Sequence, residues 1–222
     1  LDSYLSKSVI GTRALSSVLV KGKTDGSGIK VTTYNITYCT TGMYQNALAT
    51  AGIEDAEIVV AGPYNISGTA ALVGAIKSYE NMTGETVSQE NVDTATNELV
   101  VTGKLAESVG DSDKAEQLVG AVKEQVVEGS DNGKKLTEEE IGNVVDQAAQ
   151  EMDVQLSDED RQEIVALMDK IKGLDIDVDS LKEQAKDLYD KIDDLGLKLD
   201  WNQEKVQGFF SKIIEFFKNL FS

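Results

Sequence analysis

The sequence predicts an α+β protein, in which a small N-terminal sheet packed by helices is followed by an all-helical C-terminal region. Glycine and β-branched residues are concentrated in residues 1–102, which carry 10 acidic and 6 basic residues. Residues 103–222 carry 29 acidic and 15 basic residues and are rich in leucine and alanine, as helical regions are. We expect an α+β domain at 1–103, an acidic helical region at 104–200 and an amphipathic helix at 201–222.

Three short β-prone runs define the predicted sheet. Residues 17–21 and 29–39 are rich in β-branched residues and flank the turn residues 25–28, which favour a hairpin between the two strands. Residues 57–61 predict a short buried strand that ends at Gly62 and Pro63. The predicted sheet therefore has three strands, with the first two expected to be neighbours.

Helix signals follow each of the last two strands and then dominate the chain. Residues 41–51 predict one helix, and Ser67 is a candidate cap for the next. From Ser88 onward only helices are expected. Thr137 and Ser157 each precede an acidic first turn, which suits the positive end of the helix dipole, and together they predict a helical hairpin.

Composition excludes several classes of activity. The net charge of -18 argues against sequence-independent nucleic-acid binding, which needs basic groups to neutralise phosphates. The chain has no histidine, so it cannot use imidazole catalysis or His-ligated metals. Its single cysteine, Cys39, excludes an intramolecular disulfide and a Cys-rich zinc site, and we expect this thiol to be buried. We therefore expect no metal site, no cofactor and no catalytic residue.

Two places offer weak candidates for ligand binding. Arg13 could bind a carboxylate or phosphate, although a structural ion pair or a surface position is the simpler explanation. Ser67 and Thr69 lie between a strand and a helix, where free backbone amides can hold an anion. This segment lacks the spacing and the lysine of a phosphate-binding loop, so ordinary helix capping is the simpler interpretation.

The C-terminal segment carries the clearest sequence signal. On a helical wheel all the large apolar residues of positions 209–221 fall on one side, opposite the polar residues. With Trp201 they form the predicted membrane- or partner-facing set: Trp201, Phe209, Phe210, Ile213, Ile214, Phe216, Phe217, Leu220 and Phe221. Leaving this side in water would forgo about 10–20 kcal/mol of gross burial, so we expect it to be covered.

Three kinds of cover are open for this apolar stripe, by which we mean the large apolar residues of positions 209–221. It could dock on the chain's own helices, lie in a membrane interface with Trp201 at the boundary, or contact a protein partner or a second copy. Thirteen residues with polar interruptions are too short to span a bilayer.

Several segments resemble the YpuA-like secreted bacterial proteins, a domain of unknown function. These segments are 10–18 (IGTRALSSV), 28–29 (GI), 35–37 (NIT), 43–52 (MYQNALATAG), 59–63 (VVAGP), 67–72 (SGTAAL) and 97–103 (NELVVTG). The resemblance implies an export signal and an extracellular life on a Gram-positive cell. It carries no catalytic or binding residues. Since the chain begins at Leu1, the resemblance also implies a trimmed or processed form, in which the sheet could lack a strand and a helix.

We therefore expect a secreted or cell-surface-associated protein that acts as a non-enzymatic binding module through its C-terminal helix. Its expected partner is an envelope component, a membrane surface or a protein, with self-association as a further route. One alternative is a hydrolase that uses a Ser/Thr–Lys pair or carboxylates in the α+β part. A second alternative is a host-directed extracellular effector, which composition neither supports nor opposes.

Overall fold

The computed structural model describes residues 13–23, 26–131 and 136–177, together with Leu181. All of them belong to the first of the two units into which the chain divides, Leu1–Lys186. Within these ranges a three-stranded sheet is followed by a mostly helical region, so the α+β prediction is confirmed.

The sheet is formed by β1 (Ser17–Gly22), β2 (Ile29–Ile36) and β3 (Ala56–Ile66), in the order β1-β3-β2. β3 is the central strand, antiparallel to β1 and parallel to β2. The predicted hairpin between β1 and β2 is therefore wrong. The turn residues after β1 do reverse the chain, but Asp55 accepts the backbone N–H groups of Gly26 and Gly28, so the turn is held beside the start of β3.

The ends of two strands also differ from the prediction. β2 stops at Ile36 rather than Cys39. Near its end Asn35 takes a positive φ of 56° and breaks the regular register, and Ile36 then pairs with Ile66. β3 continues past Pro63 to Ile66, because the strand bulges there and the missing N–H of proline costs no ladder hydrogen bond.

Two helices cover one face of the sheet. α1 (Thr41–Thr50) follows β2, and α2 (Ala70–Thr83) follows β3. Gln45 of α1 donates to the Ile29 carbonyl of β2, and Gly74 of α2 lies over Val18 of β1. The inward side chains of β3 on this face, such as Ile58 and Val60, are at most 1 % exposed.

Four helices form the rest of the described chain: α3 (Gln89–Val109), α4 (Ser112–Asp131), α5 (Glu138–Glu151) and α6 (Asp158–Ile171). α3 packs against α1, α4 and α6, which places it at the centre. α4 is buried on every side from Ala115 to Val127, although five of its polar side chains lie in that stretch.

The helix starts show where local sequence is decisive. Ser88 caps α3, and Gly110 ends it in the left-handed conformation with a φ of 72°. Thr137 and Ser157 form capping boxes with Glu140 and Asp160, and α5 and α6 pack together as a hairpin would. These starts were predicted and are confirmed.

The cap predicted at Ser67 is wrong. α2 begins at Ala70, with Thr69 at its N-cap position. Gly68 takes a positive φ of 87° and its carbonyl accepts the Ala71 N–H, so the turn at glycine starts the helix two residues later than expected.

Candidate functional site

The predicted ligand residues lie at one end of the sheet but are not joined. Because Ser17 of β1 pairs with Ala61 of β3, the chain before β1 lies at the same end as the chain after β3. Arg13 is exposed there, and Thr69 is 2 % exposed. Within the described part of the chain no hydrogen bond or ion pair links Arg13 to Ser67 or Thr69. Their role in binding stays a prediction.

The first turn of α1 already holds a carboxylate. Thr40 caps this helix by accepting the Met43 N–H at 3.0 Å, and its hydroxyl is hydrogen-bonded to the buried Glu116 carboxylate of α4. Gly42 makes this approach possible, since a Cβ at that position would overlap the carboxylate. A negative group at a helix N-terminus is favourable. Glu116 therefore fastens α4 to the start of α1.

A second polar cluster joins α1, α3 and α4 one to two turns further along. Lys123 of α4 is 2 % exposed, and its Nζ donates to the Asn46 carbonyl at 2.7 Å, Glu98 Oε1 at 2.9 Å and Thr50 Oγ1 at 3.2 Å. The Thr50 hydroxyl donates to Glu98 Oε2 at 2.5 Å. We call Asn46, Thr50, Glu98 and Lys123 the buried lysine network.

The geometry of the buried lysine network explains what it does. An ammonium group has three N–H donors, and here all three have an acceptor. Glu98 is 1 % exposed and Thr50 is fully buried, so the ion pair is shielded from water and its charges satisfy each other. Such an arrangement holds three helices in register. It does not present a free amine or a hydroxyl nucleophile to a substrate.

Sequence reasoning missed this network. Glu98 and Lys123 are 25 residues apart on different helices, and no local spacing relates them. Most large apolar residues of α4, such as Val119, Val122 and Val126, share one side of the helix, so the pattern is that of an ordinary amphipathic helix with charged residues in water. Burial all round was not visible in the sequence without the neighbouring helices.

Cys39 and Tyr44 form a buried pair beside the same helix start. Cys39 is 3 % exposed, which confirms its predicted burial, and burial raises the pKa of its thiol to about 12. Burial also raises the pKa of Tyr44, whose hydroxyl donates to the Gly68 carbonyl at 2.6 Å. Both groups therefore stay protonated at neutral pH and are poor nucleophiles.

Two comparisons relate most or all of the chain to known proteins. Residues 1–188 match the family described as "Protein of unknown function (DUF1002)". The chain belongs to the DUF1002 family. This DUF1002 chain is also similar to the "Uncharacterized protein YpuA" of Bacillus subtilis (strain 168), with 36 % identity over 225 residues, which cover 100 % of the chain and 73 % of that relative. No solved structure matches it.

The described part of the DUF1002 chain has neither a cluster of metal ligands nor a helix that could span a membrane. In the ranges that the structure describes, no three acidic or cysteine side chains lie close enough together to hold a metal ion. None of the helices in those ranges is long and apolar enough to cross a bilayer. The predicted membrane- or partner-facing residues lie outside the described part: Trp201, Phe209, Phe210, Ile213, Ile214, Phe216, Phe217, Leu220 and Phe221.

Proposed function

We propose that this DUF1002 chain is a non-enzymatic binding module, secreted or held at the bacterial cell surface, which attaches through its apolar stripe. The sequence pattern of residues 209–221 carries the proposal. Eight large apolar residues stand on one side of the helical wheel and five polar residues on the other. A stripe of this width with two lysines and one glutamate beside it suits an interface with an envelope component, a membrane surface or a protein.

The chemistry of the described region supports a binding role over an enzymatic one. A hydrolase of the Ser/Thr–Lys type needs a neutral amine next to an accessible hydroxyl. The structure brings Thr50 and Lys123 together at 3.2 Å, but both are buried and the amine donates to three acceptors. The amine therefore faces three buried oxygens of the chain itself, and a substrate has no access to it or to the Thr50 hydroxyl.

Paired variants of the full chain test the proposal. Phe210→Asp with Phe217→Asp puts two charges on the apolar stripe, whereas Ser211→Asp with Asn219→Asp adds the same charge on the polar side. We expect the first pair to lose co-sedimentation with cell-wall fragments or with liposomes, because charge on the stripe opposes its burial. The second pair should sediment as the unmodified chain does.

Two results would contradict the proposal. The first is equal sedimentation of both double variants and the unmodified chain. The second is a lower melting temperature of the stripe variant with unchanged sedimentation, which would place the stripe in the chain's own core. Liposomes of neutral and anionic lipid, run beside the cell-wall fragments, distinguish a membrane surface from an envelope polymer.

A further inference from the structure

The sheet has a second face, and apolar side chains stand on it in contact with water. Strand alternation and the register place Leu19, Val59 and Tyr34 on the side opposite Val18 and Val60. Leu19 is 65 % exposed and Tyr34 is 59 % exposed. We call this surface the outer face. No helix within the described ranges packs on it, since α1 and α2 both lie on the other side.

This arrangement departs from the usual pattern of a sheet. A sheet that is open to water on one side normally alternates apolar residues inward and polar residues outward, and parallel strands are usually covered on both faces. The β2–β3 pair is parallel, yet the helices of the described ranges cover only one of its faces. Leu19 and Val59 are direct cross-strand neighbours, so they form a continuous apolar row rather than scattered surface residues.

The size of the outer face suits one helix. Neighbouring strands lie about 4.8 Å apart, so the two edge strands are about 10 Å apart, and three rows of outward residues span about 13 Å along the strands. A helix is about 10 Å across, and 13 Å corresponds to about nine helical residues. The area is well below the roughly 800 Å² per partner of a standard protein–protein interface, so this face alone is too small to dimerise the chain stably.

The charges on the outer face favour an acidic partner. Lys21 and Lys30 stand on either side of Glu57 in the row next to Leu19, which gives this row a net charge of +1 in a chain whose net charge is -18. Lys21 and Glu57 are 3.4 Å apart and both exposed, so their ion pair is weak and leaves the lysines open to other acids. Carboxylates beside an apolar stripe would meet both lysines.

We propose that the outer face is a docking site for an amphipathic helix of another protein that carries acidic residues on both sides of its apolar stripe. Leu19 and Val59 would pack against the apolar stripe of that helix. Lys21 and Lys30 would pair with its acidic flanks. The outer face consists of other residues than the apolar stripe of positions 209–221, and docking of a partner helix there does not require that stripe.

Two model peptides test this proposal on the full chain. Both are amphipathic helices of about 14 residues with one leucine stripe, and they differ only in having glutamate or lysine at the flanking positions. We expect the glutamate peptide to bind in a fluorescence anisotropy titration and the lysine peptide to bind about tenfold more weakly. Leu19→Ser should lower the affinity for the glutamate peptide about tenfold. Val73→Ser removes an exposed apolar residue of α2 and should change nothing.

A variant without both lysines tests the role of charge, and three results would contradict the proposal. When both Lys21 and Lys30 are replaced by glutamine, the affinities of the two peptides should differ by about threefold or less. The proposal fails if the peptides bind equally to the unmodified chain, or if Leu19→Ser and Val73→Ser bind the glutamate peptide alike. It also fails if sedimentation velocity shows a dimer that Leu19→Ser abolishes, since the occupant would then be a second copy.

Discussion

The buried lysine network and the outer face invert the usual distribution of residues in opposite ways. The network places an ion pair where almost no water reaches, whereas the outer face leaves leucine and tyrosine in contact with water. The buried charges have hydrogen-bond partners on three helices, so the protein itself satisfies them. The exposed apolar row has no such cover in the described chain. A buried polar network is thus satisfied by the fold itself, whereas an exposed apolar row is the kind of surface to which partners bind.

The largest effect is expected from breaking the buried ion pair. Lys123→Met leaves the Glu98 carboxylate buried without its cation, and we expect a loss of about 3–5 kcal/mol in the free energy of unfolding. Urea unfolding followed by circular dichroism measures it. The control is Lys21→Met at the exposed pair with Glu57, which should cost less than about 1 kcal/mol. Similar losses in the two variants would mean that the network is not shielded from water.

A double variant distinguishes the destabilisation caused by a buried, unpaired carboxylate from the net contribution of the ion pair to the free energy of unfolding. Lys123→Met combined with Glu98→Leu removes both charges, and we expect it to recover most of the stability that Lys123→Met loses. If the double variant is no more stable than Lys123→Met, packing rather than charge dominates this site.

A methyl group at Gly42 should produce the next largest effect. Gly42→Ala forces the Glu116 carboxylate away from Thr40, and we expect a loss of about 1–3 kcal/mol. The matched control is Gly74→Ala, where the added Cβ would lie 3.4 Å from Val18. This control should be neutral or stabilising by up to about 1 kcal/mol, because alanine is the better helix former. Equal behaviour of the two variants in urea unfolding would contradict the contact between α1 and α4.

How far the sequence predicts these features depends on the range of the interactions. The capping boxes at Thr137 and Ser157 are made by residues three apart, so the local pattern was sufficient. The pairing of β1 with β3 was not predictable in this way. The turn between β1 and β2 is compatible with a hairpin, but the chain completes α1 before β3 enters between the two strands.

The same distinction between local and long-range interactions applies to the candidate site. Burial of Cys39 could be expected from its position among β-branched residues, whereas the partners of Lys123 come from two other helices. The register of the sheet decides which residues stand on the outer face. Since a shift of one residue exchanges the two faces, Leu19 could not be placed outside before the pairing partner of β1 was known.

Asp160 represents a charge of intermediate burial, at the start of α6. Burial favours its neutral form, but hydrogen bonds from Ser157 and Ser108 outweigh burial and lower the pKa of this carboxyl. A lowered pKa adds stability that is complete above the usual value near 4 and is lost as the pH falls through the folded value. We expect Asp160→Asn to cost about 1 kcal/mol at pH 7, and the difference from the unmodified chain should shrink below about pH 4.

The measurement is urea unfolding of both chains between pH 2.5 and 7, a range chosen because it brackets the usual carboxyl pKa. Asp158→Asn is the control, since it removes an acid from the same helix turn but not from the pair with Ser157. It should have the smaller effect at pH 7. A gap between Asp160→Asn and the unmodified chain that is constant over the whole range would show that the charge of Asp160 does not matter.

The smallest effect is expected on the outer face, and its smallness is informative. Leu19→Ser should change the free energy of unfolding by at most about 0.5 kcal/mol, because a side chain that is 65 % exposed contributes little burial. Val20, the next residue, points to the covered face opposite Ile58, and Val20→Ser should cost more than about 1 kcal/mol. If the two neighbours respond in the reverse order, the register of β1 is shifted by one residue. If Val20→Ser lowers the free energy of unfolding and only Leu19→Ser loses peptide binding, then Val20 stabilises the sheet and Leu19 contacts the partner.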